Sequence, residues 1–589
     1  MSNKRKRSIW EIFCLSGVPW AVITFVIVMV VHAQIETFRD TEKDSSPISP
    51  FGVVNENRET SQDGSLQAVL LITGAVWLLV FIKNLTWVGG GNTKKIGLLT
   101  WTEPYKPDVN QISARKKQAQ AREVPAEYLS PVPDGLVLGK KGKDFVRYKL
   151  KRGNVLHTMI LGSAGTGKST LLLTSLIYNF HMQNKLHEQG KGDEPMVVFV
   201  TDIKPELAAK SVVSSSVDTT GARVHVMNPE NRSTYGWDVY YDISPDSSTD
   251  QILSALDVVS RALIYEGENG AEGKNSFFYN QARTIFKALM LLSYREGRSF
   301  IQGIRYLMDG CLGDIIAKTI DYVEDKIDYQ AVKRLLAPFA GKDSDAFQDI
   351  EMTLYERFSI FIRDDVAFFL DGNPRKASPL DLENKISLFF SLKETSLDEM
   401  KGLLRLVSMM VFHHCMGRPE GSHLITIFAD ECPRWGRGID FAGFMALSRS
   451  RETACILAGQ SFLQWEKVWG KEEAKIILEL CRISVILSNT DPDSGEIFCK
   501  WAGTYKERKA NVTETGKQSG SRSVSYEDKP VLEPYDILNL QDEGAAIVYI
   551  KGQMYKVNVT KARYYNVPQL KKISLKCFEL NVANNKEKE

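Results

Sequence analysis

A glycine-rich run, Gly162-Ser163-Ala164-Gly165-Thr166-Gly167-Lys168-Ser169-Thr170, lies between the apolar segment His157-Thr-Met-Ile-Leu161 and a segment of helical periodicity from about 168 to 183. It satisfies GxxxxGK[ST] in the strand-then-helix context that the chemistry requires. The glycines let backbone N–H groups turn toward phosphate oxygens at a helix N-terminus, where the helix dipole also favours anions. Lys168 neutralises the β- and γ-phosphates, and the Ser169 hydroxyl is of the type that ligates Mg²⁺. The pattern predicts a site for ATP with Mg²⁺, built from residues 162 to 170.

Hydrolysis needs more than a cradle. Leu424-Ile-Thr-Ile-Phe-Ala429 reads as a buried strand ending in Asp430-Glu431. An acid at such a strand end reaches the metal, so Asp430 is the second Mg²⁺ candidate with Ser169, and Glu431 is the general base for the attacking water. A strand-end acidic pair can also merely cap the next helix, and it is the phosphate loop that favours the chemical reading. The next apolar strand, Ala454 to Ala458, runs into Gly459-Gln460-Ser461, where the Gln460 amide could sense the γ-phosphate. Arg449 and Arg451 precede that strand, and an arginine on a subunit face can complete a neighbour's site by stabilising transition-state charge. Asp202-Ile-Lys-Pro-Glu206 follows another buried strand, Met196 to Thr201, and reads either as part of the phosphate end of the sheet or as a solvated loop. His413-His414-Cys415 ends an apolar helix with no partner at metal-ligand spacing and reads as structural.

The elements that must hold these residues alternate in type. Leu136 to Leu138 and Asp144 to Leu150 read as a hairpin around a Gly-Lys-Lys-Gly-Lys turn. Further strand signals come at Ile386 to Ser391 and Val485 to Leu487, separated by helical patterns, which argues for a parallel sheet. Between about 250 and 373 the period is helical, as in Phe277, Ala282, Ile285, Phe286 and Leu289. This stretch reads as an all-α domain inserted into the α/β domain.

At 589 residues, 43% apolar and 25% charged, the chain is too long for one core and too apolar for a disordered polymer. A net charge of +2 excludes nothing by itself. Eight cysteines scattered singly, with no CxxC pair, fit reduced thiols rather than a disulfide framework. Ile12 to Ile35 and Gly64 to Ile82 carry no Asp, Glu, Lys or Arg. Both runs are long enough to span a bilayer, with Lys-Arg-Lys-Arg at 4 to 7 before the first, Lys83, Lys94 and Lys95 after the second, and an acidic loop between. The positive-inside rule then expects a multi-pass membrane protein with both ends and the remainder of the chain in the cytoplasm. The competing readings are a cleaved signal peptide for the first run and a core helix for the second. From Lys83 to Arg152 there are fifteen Lys/Arg against six Asp/Glu, a linker that anionic lipid and nucleic-acid phosphate would both attract.

Taken in order, these features resemble the coupling-protein ATPases of bacterial conjugation and type IV secretion. The likeness rests on the paired uncharged runs, the loop at 162 to 169, Asp202-Ile-Lys-Pro-Glu206, the helical insertion, Phe428-Ala-Asp-Glu431, the Arg451 segment and Gln460-Ser-Phe-Leu-Gln464. Trp469-Gly470, Ser488-Asn-Thr490, Lys529-Pro-Val-Leu532 and Tyr535-Asp-Ile-Leu538 complete it. Gly236-Trp-Asp-Val-Tyr240 and Cys432-Pro433 depart from the usual pattern and leave the subfamily open. The resemblance implies a RecA-like α/β nucleotide-binding fold with an inserted all-α domain behind a two-helix transmembrane hairpin, and implies that the membrane is the bacterial inner one. It further implies a homo-oligomer, a hexameric ring, with Arg451 acting in trans. The implied partners are DNA, a relaxase or protein effectors, and components of the secretion channel. The expected domains are a membrane hairpin at 1–90, a basic juxtamembrane linker at 91–135, the nucleotide-binding domain at 136–250 and 376–575, the all-α insertion at 251–375 and a polar tail at 576–589. Two other functions compete: a chromosome-segregation or repair translocase, and a membrane scaffold whose nucleotide site is regulatory.

Overall fold

The computed structural model describes residues 94–96, 99–101, 122–213, 223–265, 276–341, 344–488, 491–513 and 521–586. The chain divides into two compact units, one built from Ser113–Glu507 with Asp528–Glu589 and the other containing Arg508–Glu527. In the second unit the short strands Lys94–Ile96 and Leu99–Trp101 form an antiparallel hairpin. Strands Thr504–Thr513 and Ser521–Pro530 pair with each other as a separate ribbon.

The larger unit is organised by a twelve-stranded sheet. In chain order its strands are β1 (Leu129–Ser130), β2 (Leu136–Lys141), β3 (Asp144–Tyr148), β4 (His157–Gly162), β5 (Val197–Asp202) and β6 (Val224–Met227). They continue as β7 (Ser387–Ser391), β8 (Ile425–Ala429), β9 (Thr453–Gly459), β10 (Cys481–Ser488), β11 (Ala545–Ile550) and β12 (Gln553–Asn558). Across the sheet the order is β1-β3-β2-β12-β11-β10-β4-β9-β8-β5-β7-β6. From β10 to β6 every pairing is parallel, whereas β11, β12, β2, β3 and β1 extend the other edge antiparallel.

The central parallel strands β4, β5, β7, β8 and β9 are buried along their whole length and mostly apolar because both faces are covered. Successive side chains still alternate. Met159, Leu161 and Phe199 enter one core, and Ile160, Val198 and Val200 enter the other. The first core runs without a break into helices Thr249–Leu263, Ser276–Arg295, Phe300–Leu307, Leu312–Val323, Gln330–Leu336 and Asp345–Phe358. The Thr249 helix begins at a capping box in which Ser248 and Gln251 exchange side-chain and backbone hydrogen bonds. Ile285 and Phe286 turn inward together with Leu289 one helical turn on, as their spacing requires. The second core is covered by helix α1 (Lys168–Ile177), which continues through wider π-type turns at Tyr178–Gln183.

The expected multi-pass placement in a bacterial inner membrane is overturned where the structure can address it. No helix among the described residues is long and apolar enough to cross a membrane. The uncharged runs at 12–35 and 64–82, on which the hairpin expectation rested, lie outside the described residues.

Candidate nucleotide site and family

The parallel strands β4, β8 and β9 deliver their carboxyl ends to one place, the position where open α/β sheets bind ligands. β4 ends at Gly162, where a Cβ would lie 2.6 Å from Thr166 Oγ1 and 2.8 Å from Leu487 Cβ, so only glycine lets the chain turn here. The loop closes on itself through Thr166 N–H and Thr166 Oγ1, both donating to Ser163 O at 3.3 and 2.8 Å. Ala164 and Gly165 are exposed and Ser163 is half-buried, so the outer rim of the cradle faces solvent. Gly167 adopts φ +107° at the N-cap of α1, and Thr170 Oγ1 donates back to its carbonyl at 2.6 Å. Ser169 follows Lys168 in the first turn of α1 and is half-buried.

Lys168 is nearly buried, and its Nζ donates to Gly162 O at 2.7 Å and lies 3.7 Å from Glu431 Oε1. Burial lowers its pKa, against the opposing pull of Glu431 and Asp430. Glu431 is 5% exposed and has φ +46°, a left-handed conformation that a non-glycine residue adopts at a cost of about 1–2 kcal/mol. The short helical turn Cys432–Trp435 begins at once behind it, so the kink aims the Glu431 carboxylate back at the loop. Gln460 Nε2, just beyond β9, donates to Glu431 Oε1 at 3.5 Å.

Asp430 is 1% exposed, and burial first, then the charges of Glu431 and Asp202, push its carboxyl up to about 7. Asp430 Oδ1 and Glu431 Oε2 are buried without a hydrogen-bond partner. Unshared buried carboxylate oxygens next to a phosphate loop are hard donors of the kind that Mg²⁺ takes, one or two per ion, with phosphate and water completing its shell. No group of three or more His, Cys, Asp or Glu suited to a metal occurs among the described residues, so any protein contribution to a cation here is of that sparse type.

Asp202, at the end of β5, is not in a solvated loop. It is buried, with its carboxyl pushed up to about 6, and accepts from the N–H groups of Glu206 (3.1 Å) and Ala208 (2.9 Å) at the start of helix α2 (Glu206–Ser211). Lys204 in the same turn is exposed and close enough to favour ionised Asp430.

Arg451 is not brought to this site. It precedes β9, whose seven residues place it about 20 Å from Gln460 and the loop. Arg451 is half-buried and Arg449 is exposed. Sequence reading also missed Arg563, which follows β12 and donates from Nη2 to Thr166 O at 2.9 Å. Nearly 400 residues separate the two in sequence, and no local pattern connects them. His414 belongs to a different cluster, with its Nε2 3.1 Å from Glu383 Oε1.

The strand order, with its parallel-dominated sheet and a glycine-rich loop between β4 and α1, defines an α/β protein of RecA-like fold. Residues 109–587 match the family described as Type IV secretory system Conjugative DNA transfer, and the chain belongs to that family. No curated protein matches the chain. Among solved structures, the unbound monoclinic form of the bacterial conjugative coupling protein TrwBdeltaN70 is similar at 18% identity and TM-score 0.54, over 76% of this chain and 91% of that one. TrwB in complex with the non-hydrolysable ATP analogue ADPNP is 17% identical, with TM-score 0.53 over 80% of this chain and 95% of that one. TrwB in complex with ADP and Mg²⁺ is 17% identical, with TM-score 0.51 over 68% and 84%. At these identities the likeness is one of fold.

Proposed function

We propose that this chain is an ATPase that moves DNA, as a relaxase-bound single strand, or protein effectors toward a type IV secretion channel. The observation that carries the reading is the meeting of Lys168, Glu431 and Gln460 beside two unshared carboxylate oxygens. Residues Gly162 to Thr170 hold the ATP phosphates, with Lys168 drawn from its loop carbonyls to the β/γ oxygens. Ser169 and Asp430 hold Mg²⁺, which when bound spreads the charge of the β- and γ-phosphates. Glu431 accepts a proton from the attacking water, and Gln460 fixes that carboxylate and faces the γ-phosphate. Family membership supports DNA as cargo, and the TrwB complexes with ADPNP and with ADP and Mg²⁺ support the nucleotide and the cation.

Arg451, beside Arg449, completes a neighbouring copy's site rather than its own, because it sits at the far end of β9. That requires a homo-oligomer, and a hexameric ring is the form expected. In this reading 136–250 and 376–575 are the motor, 251–375 is the inserted all-α domain, 91–135 is a basic juxtamembrane linker and 576–589 is a polar tail. The test is ATP hydrolysis by the full chain with and without single-stranded DNA. Stimulation by DNA that disappears in Glu431→Gln supports the motor, hydrolysis indifferent to DNA moves the cargo to protein, and no hydrolysis in any assembly state overturns the enzyme.

A further inference from the structure

The phosphate loop and the carboxylate pair account for one end of a nucleotide. Lys168 and Glu431 mark where the γ-phosphate belongs, and Asp430 and Gln460 stand on β8 and β9, to one side of β4. The nucleoside must then leave on the other side, toward β10, β11 and β12. Arg563 comes from that side. Its Nη2 donates to Thr166 O at 2.9 Å and its Nη1 to the Tyr565 hydroxyl at 2.8 Å. Its Nε is buried without a partner and faces the first turn of α1, where a Cβ on Gly167 would lie 3.0 Å away. No carboxylate pairs with this guanidinium among the described residues, although it stands against a phosphate cradle. Tyr565 is exposed and lies edge to face with Tyr564, with ring centroids 5.4 Å apart, so one aromatic face is held in place at the rim of the loop.

We propose that Arg563 and Tyr565 form the nucleoside side of the nucleotide site, with Tyr565 stacking on the base and Arg563 tying that ring to the phosphate loop. The proposal rests on the ATP reading and extends it to residues that no part of the phosphate motif contains. A planar base stacks on an aromatic ring or a guanidinium plane whatever its hydrogen-bonding edge, so the subsite selects a nucleoside over bare phosphates and discriminates weakly between purines. It also links the segment after β12 to the state of the loop.

The decisive comparison is calorimetric binding of ATP and of inorganic tripolyphosphate to the full chain, as wild type, Tyr565→Ala, Tyr565→Phe and Arg563→Lys. Loss of a base stack is expected to weaken ATP about tenfold in Tyr565→Ala and to leave tripolyphosphate within about twofold. Tyr565→Phe, which keeps the ring and loses only the Arg563 hydrogen bond, should lose about threefold for ATP. Arg563→Lys keeps the charge but not the two-pronged contact, and should fall with Tyr565→Ala for ATP alone. Equal losses for both ligands, or none for either, would overturn the subsite and leave the nucleotide reading standing. Wild-type protein that binds neither ligand would overturn both.

Discussion

Two buried charge clusters sit at opposite ends of the same parallel strands, and they differ in one respect. At the amino end, the Arg418 side chain is 1% exposed and fully engaged. It pairs with Glu383 Oε1 at 2.7 Å and donates to His423 O at 2.7 Å and Arg451 O at 3.0 Å. Glu383 in turn meets His414, and the arginine holds its carboxyl below the usual range against the effect of burial. At the carboxyl end, Asp430 and Glu431 are equally buried but keep one oxygen each unshared. A saturated cluster stabilises its surroundings and has no capacity left for a ligand. An unsaturated one costs stability, and a fold retains it where something else is to be bound. Burial alone therefore does not separate these two clusters, whereas their carboxylates do: those at the carboxyl end keep an oxygen free and Glu383 does not.

The contrast fails if both clusters respond alike to mutation. The largest effect is expected for Glu431→Gln, which removes the base and should lower ATP turnover about a thousandfold with little change in unfolding free energy. Stopped-flow phosphate release and urea denaturation read the two quantities side by side. Arg418→Met should do the reverse. It leaves the half-buried Glu383 without its arginine and the His423 and Arg451 carbonyls without their donor, and should cost about 1–3 kcal/mol in urea denaturation while the protein that remains folded still binds nucleotide.

Asp430 sharpens the comparison through pH. Burial and the neighbouring Glu431 and Asp202 push its carboxyl up to about 7 from the ordinary 3.8, so between those values the folded protein holds a proton that the unfolded chain has lost. Stability in the absence of ligand should therefore fall as pH rises through that window. Asp430→Asn should abolish that slope and stabilise the protein at pH 8 by on the order of 2 kcal/mol, visible as a higher melting temperature, while activity is lost. The smallest effect is expected for Gln460→Ala. With the Glu431 carboxylate still present but no longer oriented, kcat should drop about tenfold and nucleotide affinity should stay unchanged. An equal loss in affinity would make Gln460 a binding group instead.

Much of this site can be read from local pattern. The run from Gly162 to Thr170, the strand before it and the acids after β8 announce themselves because each is a short contiguous stretch whose residue types serve one local geometry. The strands at 157–162, 197–202, 425–429 and 453–459 fall within a residue or so of the apolar runs that suggested them, since a strand buried on both faces reads as a nearly continuous apolar run. The Asp202 segment was harder, because a carboxylate that caps a buried helix start has the same sequence signature as one in a solvated loop.

Composition and spacing thus located a glycine-rich loop between a strand and a helix, an acidic pair at a strand end and the strands that carry both, because those properties depend on neighbours along the chain. Only the tertiary structure decided that Arg563 touches the loop, that Arg451 stands at the wrong end of β9 for its own site, and that Glu431 takes a left-handed backbone to face Lys168. Each of those depends on the order in which strands distant in sequence lie side by side. That order is set by the fit of two large cores against one sheet, which no single segment encodes.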